Sequence, residues 1–404
     1  MAATEAPART PHLETSWHRA LLEDLCALDR ETASPGEHAA AHWLVERLRA
    51  EGAADARIEE ERGHHTFWWP LGLTSAAGAL AGLRAMRGKS LAAALLGAAA
   101  TFAAADELPP RARRLRSLLP KSVATNVLAT LGPADAPRTV VVLVHHDAAH
   151  AGLVFHPAIP DAIERYAPKL LQLGDTSPPL MWPTVLAPAL SAAGALTGRR
   201  GLARTGAVLS AAFAAGLADI ALRRAVPGAN DNGTGVVALI ALARALAARP
   251  PQSARVLLVS TSEEALCEGM RAFARRHFDE LPLADTFFLT LDTIGSPHLL
   301  VLRGEGMLGV QRYPGEALKL VDTLADELGI ELLPGVVLRN ATDGVYPLAA
   351  GYECAAICSA DDRVLPSNYH WPTDVPANVD YGTLADAIRL VEAAVRRLDE
   401  RWLG

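Results

Sequence analysis

Apolar and charged residues recur at three- and four-residue spacing from Trp17 to Arg49. Two runs carry the pattern, WHRALLEDLCAL and GEHAAAHWLVERLRAEG, and each predicts an amphipathic helix. Ser34-Pro35-Gly36-Glu37 between them reads as a turn and helix start. Ala56 to Glu61 predicts a short strand. The pattern then changes. Thr66 to Leu83 and Leu91 to Ala105 are almost free of charge, separated by Arg84, Arg87 and Lys89. A second such pair, Leu180 to Leu196 and Thr205 to Ala218, flanks Arg199, Arg200 and Arg204. Each pair opens on Trp-Pro, and each predicts a helical hairpin.

Outside the hairpins, short apolar runs alternate with helical patterns. Val140 to Val144, Arg255 to Ser260, Phe287 to Leu291 and Ala355 to Ile357 read as buried strands. Val236 to Ala248, Glu316 to Leu328 and Tyr381 to Leu398 read as helices. Continuous apolar strands between helices predict an α/β fold with a mostly parallel sheet covered on both faces. The expected division is a flexible tail at 1–15, a catalytic domain from 16–65, 122–147 and 227–404, and hairpin insertions at 66–121 and 148–226.

Composition adds little beyond the hairpins. The 404 residues carry a formal net charge of −7 spread along the chain, which excludes a basic nucleic-acid surface. Half of the residues are hydrophobic while only 5% are aromatic, and the mean hydropathy is +0.16. Cys26, Cys267, Cys354 and Cys358 show no paired spacing, so no disulfide framework or zinc ribbon is implied.

The chemistry lies where strands stop. VVVLV runs into His145-His146-Asp147, RVLLVSTS into Glu263-Glu264, and TFFLTL into Asp292. Sites in open α/β sheets form outside the carboxyl ends of strands. The loop GANDNGTG supplies Asp231 before a helix, and the late loop NYHWPTD supplies His370. Singly, each residue has a structural reading: a satisfied histidine, a solvated glutamate pair, a turn aspartate. Together, two histidines and three carboxylates suit zinc, and a carboxylate can bridge two ions. Asp147 is placed to orient His145.

These motifs resemble the co-catalytic zinc aminopeptidases of metallopeptidase family twenty-eight. The matching stretches are His145-x-Asp147, Gly228 to Gly235, Glu263-Glu264, Asp292 to Pro297 and Tyr369-His370-x-x-x-Asp374, in the family's order. The resemblance implies two zinc ions, one held by His145 and Asp292, the other by Glu264 and His370, with Asp231 between them. It implies Glu263 as general base, Tyr369 as oxyanion donor, and Asp147 and Asp374 as orienting groups. His146, His150 and His156 match no ligand. The implied substrate is a peptide or aminoacyl amide. A zinc amidase, a glutaminyl-cyclase-like enzyme and a non-catalytic binding protein are the alternatives. Two departures stand out. Eighty-three residues separate Asp147 from Asp231, and Thr342-Asp343 is followed by Gly344 where the family often has histidine.

The hairpins read either as membrane spans, with contact through residues 66–105 and 180–222, or as a soluble lid or oligomer interface. In the membrane reading Trp68, Trp69 and Trp182 form an interfacial belt, and Arg111 to Arg116, Lys121, Arg223 and Arg224 lie at the hairpin bases. An even number of crossings keeps the catalytic parts on one side, expected to be cytoplasmic. The other expectation is a soluble cytoplasmic enzyme.

Overall fold

The computed structural model describes residues 11–64, 66–166 and 176–402. The first ten residues of the expected tail and residues 167–175 of the second insertion lie outside the described residues. The helices are α1 (Pro11–Cys26), α2 (Pro35–Ala50), α3 (Trp68–Ala85), α4 (Leu91–Glu107), α5 (Ala158–Tyr166), α6 (Trp182–Thr197), α7 (Arg200–Ala221), α8 (Thr234–Ala248), α9 (Glu268–His277), α10 (Gly315–Leu328), α11 (Val345–Ala350) and α12 (Tyr381–Arg401). Helix α1 begins inside the stretch expected as tail. The strands are β1 (Arg57–Gly63), β2 (Ser122–Leu131), β3 (Arg138–His145), β4 (Ala254–Thr261), β5 (Thr286–Leu291), β6 (His298–Val301), β7 (Gly304–Glu305), β8 (Gln311–Arg312), β9 (Leu332–Leu333), β10 (Val337–Leu338) and β11 (Glu353–Ala360).

Eight strands form one mixed sheet in the order β1-β2-β4-β3-β5-β11-β6-β9. The central four, β4, β3, β5 and β11, run parallel. Strand β2 is antiparallel to both of its neighbours. Side chains alternate across the pleat. Val140, Val142 and Val144 face α1, α2, α8, α10 and α12. Val141 and Leu143 face α9 and α11. Both faces are therefore covered, and the central strands are continuous apolar runs for that reason.

The two hairpins pack on each other as one four-helix unit of α3, α4, α6 and α7. Its interior is built from small residues. A Cβ on Gly82 would meet the Ala203 carbonyl oxygen at 2.7 Å, and one on Gly206 would meet the Ser191 amide nitrogen at 2.5 Å. Its exterior carries the large apolar side chains, among them Leu80, Leu83, Leu95, Leu196, Val208 and Phe102, the last 78% exposed. The arrangement inverts the usual globular one, with small residues inside and bulky apolar ones outside. Helix α7 is long and apolar enough to cross a membrane; the segment Ala229–Ala248, which contains α8, is so too by length and composition but is mostly buried behind the sheet.

Two expectations at the hairpin bases need correcting. Trp68 is buried and its ring lies 4.5 Å from that of His150. Trp182 donates its indole N–H to the Met307 carbonyl at 2.9 Å. Both dock the bundle on the catalytic domain, because a large amphipathic ring at a helix start fills such a junction well; Trp69 alone of the three is exposed. Arg113 and Arg116 are likewise internal. Arg113 pairs with Glu268 at 2.6 Å and also donates to the Leu266 carbonyl. Arg116 pairs with Glu107 and donates to the Ala265 carbonyl at 2.6 Å. Buried guanidinium groups need several acceptors at once, and this junction supplies them.

Candidate metal centre

The carboxyl ends of β3, β4 and β5 deliver His145, the Glu263-Glu264 pair and Asp292 to one edge of the sheet. The loop before α8 brings Asp231 there. Gly228 allows that loop its shape: its φ is +61°, and a Cβ would lie 2.6 Å from the Asp231 carbonyl oxygen. Flanking asparagines stitch the loop to the end of β5. Asn232 donates to the Leu291 carbonyl at 2.9 Å, and Asn230 accepts the Gly295 N–H at 2.7 Å. His370 arrives from the loop after β11 with a left-handed φ of +49°. Such strain in a non-glycine residue persists only where surrounding contacts over-determine it.

Asp231 stands between the two histidines. Its Oδ1 is 3.3 Å from His145 Nε2, and its Oδ2 is 3.1 Å from His370 Nε2. His370 Nε2 is 3.5 Å from Glu264, and His145 Nε2 is 3.5 Å from Glu263. Potential ligand atoms of His145, Glu263 and Asp292 lie within 4.8 Å of one another, as do those of His145, Asp231 and Glu264. The structure thus brings together all five expected ligands and the expected base.

The orienting groups are placed as well. Asp147 Oδ1 lies 3.2 Å from His145 Nδ1, which leaves Nε2 to face Asp231. Asp147 also accepts N–H bonds from Glu263 and Glu264 and a hydroxyl bond from Thr32. Asp374 accepts the amides of Asn230 at 2.7 Å and Asp231 at 3.1 Å. The Tyr369 ring stacks on His370 at 3.8 Å, with its hydroxyl 3.5 Å from Asn340 Nδ2. Of the histidines set aside, His146 is fully buried and bonded to Ser260; burial pushes its pKa down to about 4, so it sits there neutral.

Four carboxylates and two imidazoles converge here, and burial dominates their electrostatics. It pushes Glu263 and Glu264 well above the usual carboxylate range, with Asp343 adding to the rise at Glu263 and Asp231 at Glu264. Burial and then Asp231 raise Asp292 to about 7. At Asp231 burial acts upward too, but hydrogen bonds from His145 and His370 outweigh it and hold the group low. Glu264 Oε1 is buried with no hydrogen-bond partner among the described residues. An orphaned carboxylate oxygen inside an acidic cluster is what a cation site looks like without its cation. Mixed imidazole and carboxylate donors fit zinc.

Asp343 is the residue that the motifs did not single out as a site group. It is buried, bonded to the Thr261 hydroxyl, and within 4.8 Å of Glu263 and Cys267 by potential ligand atoms. Burial pushes its carboxyl up to about 7. The signal in the sequence was its place in the Thr342-Asp343-Gly344 departure, read only as a missing histidine.

The sheet, its covering helices and this cluster at the strand ends define an α/β zinc-exopeptidase fold. Residues 215–395 match the sequence model of Peptidase family M28, in keeping with the resemblance read from the motifs. No curated protein matches it. Solved structures share the fold at low identity. A zinc aminopeptidase from Bacillus subtilis aligns at TM-score 0.56 and 14% identity over 96% of each chain. Glutaminyl cyclase from Tannerella forsythia aligns at TM-score 0.55 and 15% identity, over 95% of this chain and 98% of that one. A Zn-dependent exopeptidase from Parabacteroides distasonis aligns at TM-score 0.52 and 14% identity, over 94% and 96%.

Proposed function

We propose that this chain is a dinuclear zinc exopeptidase of aminopeptidase type with Glu263 as its general base. The observation that carries the reading is Asp231, whose two carboxylate oxygens each face one histidine Nε2. That is the geometry of a bridging carboxylate. His145 and Asp292 would hold one ion, Glu264 and His370 the other. Two zinc ions in that place would polarise the scissile carbonyl and make water acidic enough to attack near neutral pH.

The protein's own part is proton handling and orientation. Glu263 takes a proton on its carboxylate from the attacking water and delivers it to the leaving nitrogen as the C–N bond breaks. Tyr369 Oη donates to the oxyanion. Asp147 fixes the His145 ring, and Asp374 fixes the Asp231 loop. Glu263→Gln tests the assignment: turnover of aminoacyl reporters should be lost while about two zincs per chain are kept. Full turnover in that variant, or active protein without bound metal, would overturn it. Glutaminyl-cyclase chemistry on the same fold is the second reading, favoured by the glutaminyl cyclase among the fold relatives. Release of ammonia from N-terminal glutamine peptides reports it.

The four-helix unit supports residence in a bilayer. Without a hydrophobic driving force between helices, membrane interfaces favour small residues that let backbones approach, and α3, α4, α6 and α7 meet in that way. Their 16 to 22 residues span about 24–33 Å at 1.5 Å per residue, against a hydrocarbon core of about 30 Å. Six basic residues gather at the far tip, where Lys89 packs beside Gly198. Sedimentation of the chain with membranes after a carbonate wash is the expected result; full release would overturn it.

A further inference from the structure

A cavity of about 290 Å³ lies between the bundle base and the metal centre. One end holds Glu263, Glu264, Tyr369 and His370. Its other walls are apolar, made by Phe155, Met181, Phe213, Leu217, Leu266 and Met307. Much of that lining comes from the inserted bundle rather than from the exopeptidase sheet. Helix α7 contributes one stripe, Ala212, Phe213, Gly216, Leu217 and Ile220. Leu180 and Val154, which also line the cavity, are about half exposed, so the rim stays apolar.

Two details indicate what fits. Gly216 faces the space openly, since a Cβ there would meet nothing within 4 Å. Asn340, also in the wall, has a buried Oδ1 without a hydrogen-bond partner. A neutral acceptor beside the reacting end suits an amide N–H. The carboxylates that line the cavity are Glu263 and Glu264, both taken up by the metal centre, so none is left to hold a free ammonium deeper in the chamber.

We propose that the chamber binds a long acyl chain, and that the substrates are N-acyl amides whose scissile carbonyl is reached along the chain from the bilayer. The inference rests on the zinc exopeptidase reading for its chemistry. Water supplies the oxygen that bonds to the carbonyl carbon. The C–N bond breaks, Glu263 carries the proton to the departing nitrogen, and a fatty acid and an amine are released. The bundle then has two uses: its outer face meets lipid, and the inner stripe of α7 guides a lipid chain to the metal centre.

The test uses the full chain in detergent micelles, loaded with zinc, on acetyl, octanoyl and dodecanoyl p-nitroanilide, with leucyl p-nitroanilide alongside. Burial of added methylenes should raise kcat/KM by about a hundredfold or more from acetyl to dodecanoyl. Gly216→Leu narrows the chamber without touching the metal cluster. It should lower the ratio of dodecanoyl to leucyl turnover by at least about tenfold, since one clash with the chain exceeds 1.4 kcal/mol. Binding of a fluorescent long-chain fatty acid, measured with and without zinc, should weaken to the same degree in that variant. A flat chain-length series together with leucyl turnover overturns the acyl-chain inference and leaves the exopeptidase reading standing. Fatty-acid binding that is weakened by Gly216→Leu, with no hydrolysis of any substrate, supports the chamber and overturns the exopeptidase reading. Absence of both binding and hydrolysis overturns both.

Discussion

Asp147 accepts the backbone N–H of Glu263 at 2.8 Å. One carboxylate at the end of β3 thereby positions the backbone of the base at the end of β4 while it also faces His145 Nδ1. Burial opposes its ionisation, but contacts from His145, Thr32 and the Glu263 amide outweigh this and keep it charged. Asp147→Asn preserves the shape but loses the charge and turns a donor toward N–H groups that need an acceptor. We expect about a 10–100-fold loss in zinc affinity or kcat. Zinc titration and steady-state kinetics on the same preparation check it, and wild-type values for both would remove Asp147 from this role.

Arg113 ties the bundle base to the segment after β4 that carries the base and ligand. Its guanidinium meets Glu268 and the Leu266 carbonyl, two residues beyond Glu264. Arg113→Met leaves the buried Glu268 without its nearest guanidinium, with Arg271 at 3.2 Å and Arg116 at 3.6 Å remaining. Breaking one side of a buried pair typically costs about 3–5 kcal/mol, so thermal unfolding should shift down by several degrees. Arg113→Lys should recover little, because a point charge cannot serve two acceptors as a planar fork does. An unchanged melting temperature in Arg113→Met would show that the junction carries no stability.

The legible part of this protein was local in sequence. His145 and Asp147 sit two residues apart, Glu263 and Glu264 are adjacent, and Tyr369, His370 and Asp374 share one loop, so strand-end reasoning and motif order found them together. The parallel centre of the sheet was legible because β3, β4, β5 and β11 are apolar on both faces. What escaped was set by distant pairing. Asp343 became a site group only because Thr261 and Glu263 fold against it. Arg113 and Arg116 looked like a basic flank and are buried because Glu107, Glu268 and two carbonyls surround them. The two-residue strands β7 to β10 are too short for periodicity to register. The hairpins were read as separate units, since nothing in either one announces that Gly82 will meet Ala203.

Close approach within the bundle separates two glycines of similar appearance. A Cβ on Gly206 would lie 2.5 Å from both the amide nitrogen and Oγ of Ser191, whereas one on Gly72 would meet nothing within 4 Å. Gly206→Leu should therefore force α6 and α7 apart, at a cost of at least about 1–3 kcal/mol. Gly72→Leu should leave stability unchanged or slightly raised, because leucine favours helix over glycine by nearly 1 kcal/mol. Yield of monodisperse protein in detergent and its melting temperature compare the pair. Equal behaviour of the two variants would contradict the packing described for α6 and α7.

Glu305, which is not among the expected metal ligands, offers a pH signature of its own. It is fully buried on β7 and accepts the Thr342 N–H at 2.7 Å, with bonds from the Thr342 and Tyr313 hydroxyls. Burial still dominates and pushes its carboxyl from 4.5 up to about 7. The folded protein therefore holds this proton over a range in which the unfolded chain has lost it. Between about pH 4.5 and 7 the folded state binds more protons, so this residue's contribution to stability falls as pH rises, then levels off above 7. Glu305→Gln keeps a side-chain acceptor for Thr342 and removes the titration. The melting temperature of Glu305→Gln minus that of the wild type should climb from pH 4.5 to 7 and stay constant above. Melts of the two proteins across that range give the difference directly, with other titrating groups common to both. A difference independent of pH would mean that Glu305 is ionised in the fold throughout, with its hydrogen bonds outweighing its burial.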